Sequence, residues 1–266
     1  MECVPAITLK ADVLLQYVAK RGGVGLCAYA LQYPAMGQLI DTKTKVAVFD
    51  FDHTCIEGSS PFTLVRRLTA DHRLSPITTA KISAWGIRYK LRLPHSQSWV
   101  RSQVFKAFDG MPKETADDYM RTFYDNYIEP RFRPAAHRAM LDHKEAGHEV
   151  IVVSASFEPI VMRAMELHPF DAQVSTRMEV NADGTYSREV EGKPVEGDEK
   201  LAAIRRICDE RYGVGGWHVV AAYGDHHTDA PMLAFADHAY AVNPNGKLEH
   251  MAKERNWPIL DWSRAV

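Results

Sequence analysis

The sequence predicts an α/β protein: a doubly wound parallel sheet, covered by helices on both faces, with an all-helical unit inserted into it. Three observations lead there. Short unbroken apolar runs recur at residues 46–49, 150–153 and 219–223, the pattern of strands buried on both faces. Stretches with helix-start signals alternate with these runs, as crossovers between parallel strands require. Finally, about a hundred residues separate the first two runs, too many for one crossover, so a second unit must lie between them.

Taken in order, residues 1–44 hold two apolar stretches, 13–18 and 24–31, separated by Arg21-Gly22-Gly23. They read as an N-terminal extension of two short helices docked on the body; an arm for dimerisation or a membrane surface is the other reading. The first buried strand follows at residues 46–49. Residues 59–130 read as helical, with starts at Ser60-Pro61, Ser75-Pro76, Ser96 and Met111-Pro112. Their apolar residues keep the helical period in Ile82, Trp85 and Tyr89, in Val100, Val104 and Phe108, and in Tyr119, Phe123 and Tyr127. That spacing assigns the aromatics to a bundle core. Beyond it, Pro134 opens a helix ending at Gly147, and the second buried strand precedes a helix opened between Ser156 and Pro159. Asp183-Gly184, between strand-like runs at 173–180 and 186–190, reads as a hairpin turn. A helix over 199–211, the third buried strand and a helix opened between Thr228 and Pro231 complete the pattern. The division is thus an extension at 1–44, an α/β core from 45–58 and 131–266, and an inserted unit at 59–130.

Composition narrows the function classes. The 266 residues, 46% hydrophobic and 25% charged, are those of an ordinary globular chain. With 32 basic and 34 acidic residues the net charge is −2, so no global field favours nucleic acid or an anionic membrane as partner. Small phosphorylated metabolites need only local positive charge. The longest apolar run, 24–31, is far short of the roughly 20 residues of a membrane span. Cys3, Cys27, Cys55 and Cys208 lie far apart without a CxxC pair and read as reduced thiols. The start of the chain has no basic residue before Lys10, unlike a secretory signal. The expected location is cytoplasmic.

The chemistry-bearing residues follow the buried strands. Asp50-Phe51-Asp52-His53-Thr54 follows the first, Ser154-Ala155-Ser156 ends the second, and Gly224-Asp225-His226-His227-Thr228-Asp229 ends the third; Lys200 stands near a helix start. In open parallel sheets ligands bind at the carboxyl edge, where helix N-termini converge. Four carboxylates at one edge repel one another unless a cation joins them. A hard divalent ion with oxygen ligands, Mg²⁺ above all, is the natural guest. Acids, metal, Lys200 and the Ser154 hydroxyl together suit a phosphate undergoing displacement. Singly, each acid reads as readily as a turn residue or helix cap; order and placement together favour the site.

The stretches VAVFDFDHT (46–54), IVVSAS (151–156), GDEK (197–200) and YGDHHTD (223–229) resemble the four motifs of the haloacid dehalogenase superfamily, in its phosphoserine-phosphatase-like branch. RFRPAA (131–136), Asp183-Gly184, VNPNGKL (242–248) and NWPIL (256–260) extend the resemblance over about residues 45–262. It implies a Rossmann-like core with the inserted helices as its cap domain. It further implies that Asp50 is the nucleophile, forming an aspartyl phosphate, and that Asp52 is the general acid and then base. Ser154 and Lys200 would bind the phosphoryl group. Mg²⁺, or Mn²⁺ in its place, would be held by Asp50, the backbone carbonyl of Asp52 and Asp225, with Thr54 and Asp229 in support. The implied activity is hydrolysis of a small phosphomonoester. Ser59 stands where phosphoserine phosphatases carry the glutamate nine residues after the nucleophile that helps to hold the substrate's amino group, so phosphoserine is not carried over as substrate.

Other readings stay open. His53, His226 and His227 are packed groups near the site or ligands of a softer ion, Mn²⁺ or Zn²⁺. Arg66, Arg88, Lys90, Arg92, Trp99 and Arg101 are candidate cap contacts to substrate. A phosphotransferase to an acceptor alcohol shares every one of these parts, and a non-catalytic phospho-acceptor module shares the acids, hydroxyl and lysine. A dehalogenase needs neither Asp52 nor the metal. The oligomeric state is open, a homodimer included.

Overall fold

A computed structural model describes residues 43–75, 77–82, 84 and 104–263. The extension expected over residues 1–44 therefore falls, up to residue 42, outside the described residues. So do Pro76, Trp85, Tyr89, Ser96 and Val100, and the candidate contacts Arg88, Lys90, Arg92, Trp99 and Arg101.

In chain order the strands are β1 (Thr44–Phe49), β2 (Glu149–Phe157), β3 (Ala172–Thr176), β4 (Met178–Val180), β5 (Tyr186–Val190), β6 (Trp217–Gly224), β7 (His238–Val242) and β8 (Ile259–Leu260). The helices that pack on them are α1 (Ser60–Ala70), α2 (Lys113–Phe123), α3 (Pro134–Glu145), α4 (Glu158–Leu167), α5 (Asp198–Tyr212), α6 (Ala230–Phe235) and α7 (Gly246–Glu254). Six strands form one sheet in the order β3-β2-β1-β6-β7-β8, every neighbouring pair parallel. The doubly wound α/β class is thus observed.

The unbroken apolar runs have a direct physical cause. Ala47 and Phe49 of β1, with Val150 and Val152 of β2, join the apolar cluster on one face, together with Leu64, Met120, Met140 and Ile160 from α1 to α4. Val46, Val48, Ile151 and Val153 turn to the other face, against Ile204 and Cys208 of α5, Leu233 of α6 and Leu248 of α7. All four β1 residues are wholly buried, so a polar residue on either face would lose its hydration. A one-residue bulge in β6 opposite Val46/Ala47 shifts the register; Val219 and Ala222 therefore share a face although three positions apart.

The strand order also places the site. From β1 the chain winds outward through β2 and β3, then returns to the other side of β1 as β6. The loops leaving β1 and β6 thus diverge from adjacent strands, opening a crevice at their carboxyl ends.

Several expectations need adjustment. The hairpin is β4–β5 alone, because residues 172–176 pair with β2 as the sheet's edge strand. β7, β8 and α7 had no counterpart in the sequence reading. The helix after β6 begins at Ala230, behind a single tight turn over His227–Asp229. In the inserted stretch, Ile82, Val104, Phe108 and Phe123 are buried as their period required, and they belong to the same cluster as one sheet face. Arg121 of α2 and Glu166 of α4 are joined by a 2.6 Å hydrogen bond. Among the described residues no helix is long and apolar enough to cross a membrane.

Candidate active site

The site begins where β1 ends. The Asp50 N–H donates to the carbonyl of Tyr223 on β6 at 2.9 Å, so pairing with the neighbouring strand continues through the first catalytic candidate. The chain then makes one wide turn, Phe51–Cys55, in which His53 adopts φ +61°. Non-glycine residues rarely occupy that region, and such strain concentrates at functional turns. The His53 N–H donates to the Gly58 carbonyl at 2.9 Å and holds the conformation. The turn carries Asp50 and Asp52 to the wall of one cavity of about 470 Å³. Lys200, Asp225, His226 and Asp229 line it too, with Phe62, Val65, Val104 and Phe157 as an apolar wall.

Its centre is charged and buried. Lys200, in the first turn of α5, donates from Nζ to Asp50 Oδ1 at 2.5 Å and to Asp229 Oδ1 at 2.7 Å. Lys200 and Asp50 are each 5% exposed and Asp229 is 1% exposed. The second oxygen of Asp50 accepts from Thr54 Oγ1 at 3.3 Å. The second oxygen of Asp229 accepts the His226 N–H at 3.1 Å, which closes the tight turn before α6. Asp225 completes the group: Asp50, Asp225 and Asp229 each offer a carboxylate oxygen, all within 4.8 Å of one another.

Three carboxylates face one ammonium, so attraction and repulsion do not balance. Burial drives the Asp50 carboxyl well above the ordinary range; Lys200 opposes that shift, and Asp229 and Asp52 add to it. Burial likewise raises Asp225, followed by the charges of Asp50 and Asp229. Burial works to strip the proton from Lys200, but the carboxylates of Asp229 and Asp50 outweigh it and raise its affinity further. A buried cluster with surplus negative charge and hard oxygen donors fits a divalent cation such as Mg²⁺. Asp50, Asp225 and Asp229 are the carboxylates close enough together to meet it.

Asp52 stands apart from this cluster. Its Oδ1 accepts the Ser60 N–H at 2.5 Å, and its Oδ2 accepts a short hydrogen bond from Ser156 Oγ. Ser154 is buried at the end of β2, and its Oγ accepts the Ser156 N–H at 3.0 Å; Ala155, not Ser154, lines the cavity. The histidines do not join the acids. Among the described residues, the aspartate triad is the one His/Cys/Asp/Glu group close enough to share an ion. His226 instead caps the turn through Thr228; burial and then His227 lower its pKa to about 4. His227 sits 3.2 Å from the Asn245 amide. Arg66 is exposed on α1 and lies off the cavity wall. Ser60, Ser156, Arg133, Glu196, Asn243 and Asn245 belong to the site without having been given a role in it. Asn243 and Asn245 lay inside the VNPNGKL stretch, Arg133 inside RFRPAA and Ser156 inside IVVSAS, so part of the signal was present.

Comparison with known proteins bears on the family and the fold. The family model for haloacid dehalogenase-like hydrolases matches residues 47–234. A histidinol-phosphatase of Neisseria meningitidis is 29% identical over 227 residues, covering 82% of this chain and 98% of that protein. A Bordetella pertussis protein of unknown function superposes with a TM-score of 0.74 at 20% identity, over 83% of this chain and all of that one. A phosphoserine phosphatase solved as its phospho-aspartyl intermediate analogue gives 0.57 at 20% identity, over 82% of this chain and 92% of the other. These structural likenesses speak for the fold.

Proposed function

The chain belongs to the haloacid dehalogenase-like hydrolases, and from that premise we propose that it is a Mg²⁺-dependent phosphatase of a small phosphomonoester, acting through a phosphorylated Asp50. One observation carries the proposal: Asp50 is buried at the carboxyl edge of β1 between Lys200 and two further carboxylates, beside a separate carboxyl, Asp52, on the same cavity wall. In this reading α1 and α2, within the inserted stretch 59–130, belong to a cap that closes this cavity over the leaving group.

Each residue then has a task that its chemistry supports. A carboxylate and a phosphate dianion repel, so Asp50 can approach phosphorus only where positive charge screens both. Lys200 supplies part of that charge from within hydrogen-bond distance. Asp50, the Asp52 carbonyl and Asp225 would hold a Mg²⁺, which would supply the remaining positive charge and Lewis acidity toward the phosphoryl oxygens. Asp229 holds Lys200 in place, and Thr54 orients the Asp50 carboxylate. Ser154, buried beside Ala155 of the cavity wall, is the proposed donor to the phosphoryl group. Asp52 protonates the leaving oxygen as the Asp50–phosphorus bond forms, then takes a proton from the water that breaks that bond.

The substrate carries a modest leaving group, set against the apolar wall of Phe62, Val65, Val104 and Phe157. With Ser59 on the cavity wall where phosphoserine phosphatases carry glutamate, and with a relative named histidinol-phosphatase, histidinol phosphate is the first substrate to test. Cys55 and Cys208 are free thiols buried in the core, in keeping with the reducing cytoplasm.

The test is steady release of phosphate from p-nitrophenyl phosphate in the presence of Mg²⁺. Asp50→Asn should lower kcat by at least about a thousandfold and abolish phosphate incorporation into the protein. Full activity in that variant, or a single stoichiometric phosphorylation of the native chain without turnover, would end the proposal. Glycerol added to the assay separates hydrolysis from transfer: glycerol phosphate appears only if an acceptor alcohol competes with water.

A further inference from the structure

We propose that Ser156, backed by Ser60, is the positioning residue for Asp52, a two-hydroxyl clamp that aims this carboxyl at the leaving oxygen. The inference rests on the acid and base role given to Asp52 above and adds the device that makes the role workable. An acid that must reach one particular oxygen cannot swing about its side-chain bonds. Misplacing such a group by about 1 Å costs on the order of a hundredfold in rate.

Asp52 is held at both oxygens, from two different elements. Oδ1 accepts the Ser60 N–H at 2.5 Å, one of the amides that the first turn of α1 leaves without a helical partner. Oδ2 accepts from the hydroxyl of Ser156, at the end of β2. Two contacts at two atoms fix the plane of a carboxyl group; one would leave it free to rotate. Ser156 is in turn 2.6 Å from the Ser60 hydroxyl. With the Ser156 proton directed at Asp52, Ser60 is the donor of that pair. Both serines are wholly buried, so water does not compete for either hydroxyl.

Hydroxyls suit the task better than a cation would. Asp52 has to be a carboxylic acid before the first displacement and a carboxylate before the second. The charge of a lysine or arginine would hold the ionised form and deplete the acid. A neutral serine hydroxyl donates to Oδ2 of the carboxylate and equally to a lone pair of Oδ2 in the acid, whose proton is then left for the leaving oxygen. The clamp therefore holds through both steps. In the first, the Asp50–phosphorus bond forms, the phosphorus–leaving-oxygen bond breaks and the Asp52 proton moves to that oxygen. In the second, the water oxygen bonds to phosphorus, the Asp50–phosphorus bond breaks and a water proton returns to Asp52. The same end of β2 also bears on the proposed phosphate anchor, since the Ser156 N–H donates to Ser154 Oγ at 3.0 Å. One strand end thus ties the proposed phosphoryl seat to the acid.

The experiment compares leaving groups. p-Nitrophenolate leaves with little help from a proton, whereas an alkoxide leaves slowly without one. Ser156→Ala should lower kcat toward an alkyl phosphate such as glycerol 3-phosphate by roughly 10- to 100-fold, and toward p-nitrophenyl phosphate by less than about threefold. KM and beryllofluoride binding at Asp50 should stay within about twofold, because the backbone donor to Ser154 remains. Ser60→Ala should show the same discrimination on a smaller scale, and it carries the test should Ser156→Ala not fold. Ser156→Thr, which keeps the hydroxyl, should recover most of the alkyl phosphate activity. An equal fall on both substrates, or no fall on either, would overturn the inference. Asp52→Asn is the reference: if it discriminates and Ser156→Ala does not, only the clamp fails. If Asp52→Asn itself shows no discrimination, the acid role fails and the clamp with it.

Discussion

Two polar networks, one half-buried and one buried, meet the chain at Tyr223 and Asp225 and differ in kind. Tyr223 points to one sheet face, where its hydroxyl lies 3.0 Å from His143 Nε2; His143 Nδ1 in turn lies 2.9 Å from His148 Nδ1. Asp225, two residues on, belongs to the cluster of Asp50, Asp229 and Lys200. The first network is neutral: burial and then His148 lower the His143 pKa to about 4, and burial keeps the Tyr223 phenol protonated. Its donors and acceptors meet within the protein, and Tyr223 stacks on Phe49 with ring centroids 4.3 Å apart. The second gathers three buried carboxyl groups around one ammonium, an arrangement that folding alone does not favour. The difference teaches that a buried polar group is read by its balance. A network that closes on itself is structure, while one left with uncompensated charge awaits a ligand.

Three changes would break or sharpen that contrast. The largest effect is expected from Lys200→Met, which strands Asp50 and Asp229 without their cation. Breaking a buried ion pair from one side costs about 3–5 kcal/mol, and phosphate release should fall by at least about a hundredfold. Mg²⁺ should return part of the lost thermal stability, since it binds the folded acids and not the unfolded chain. A Tm unchanged by the substitution would mean that the charge cluster is not what strains this end of the sheet.

Gly224→Ala should come second. A Cβ at that position would lie 2.8 Å from Asp229 Oδ2 and 2.9 Å from Asp229 Cβ, closer than such atoms approach. The cost of overpacking is about 1–3 kcal/mol, and Asp229 must shift its hold on Lys200, so kcat should fall along with denaturant stability. Native activity in the variant would show that Asp229 is not held to its position.

The smallest effect belongs to the neutral network. His143 takes up a proton near pH 4 in the folded protein and near 6.5 in the unfolded chain. Between those values the unfolded state binds more protons, so His143 makes stability fall as pH drops from about 6.5 toward 4, with no further loss below that. His143→Gln should flatten this part of a urea-midpoint-against-pH profile and leave kcat near the native value. A profile as steep as the native one would assign the acid lability to other histidines; a large loss of activity would join the two networks that the structure keeps separate.

Legibility followed chain distance and burial. β1, β2 and β6 were readable because both faces of each are buried, which writes a run of apolar residues into the chain. β8 is two residues long and too short to show a pattern, whereas β7 begins at the exposed His238 and carries an apolar run at 239–242 that was legible and not used. Residues 173–176 carry a strand-like pattern that suits a hairpin or a sheet edge equally, and pairing with β2 decided between them. Asp50, Lys200, Asp225 and Asp229 stood out by their order after buried strands, although nothing in that order could say that Lys200 spans Asp50 and Asp229.

The sequence by itself determined the parts and their neighbourhood: which strands are buried, which polar residues end them, and that acids outnumber cations at that edge. Those properties follow from local rules of hydration and backbone geometry that act over a few residues. Only the tertiary structure decided what each carboxyl touches. Ser156 is 104 positions from Asp52 and 96 from Ser60, and their meeting depends on parallel pairing of β1 with β2 and on where α1 begins. Contacts of that range are set by packing the whole sheet, and a chain read residue by residue does not contain them.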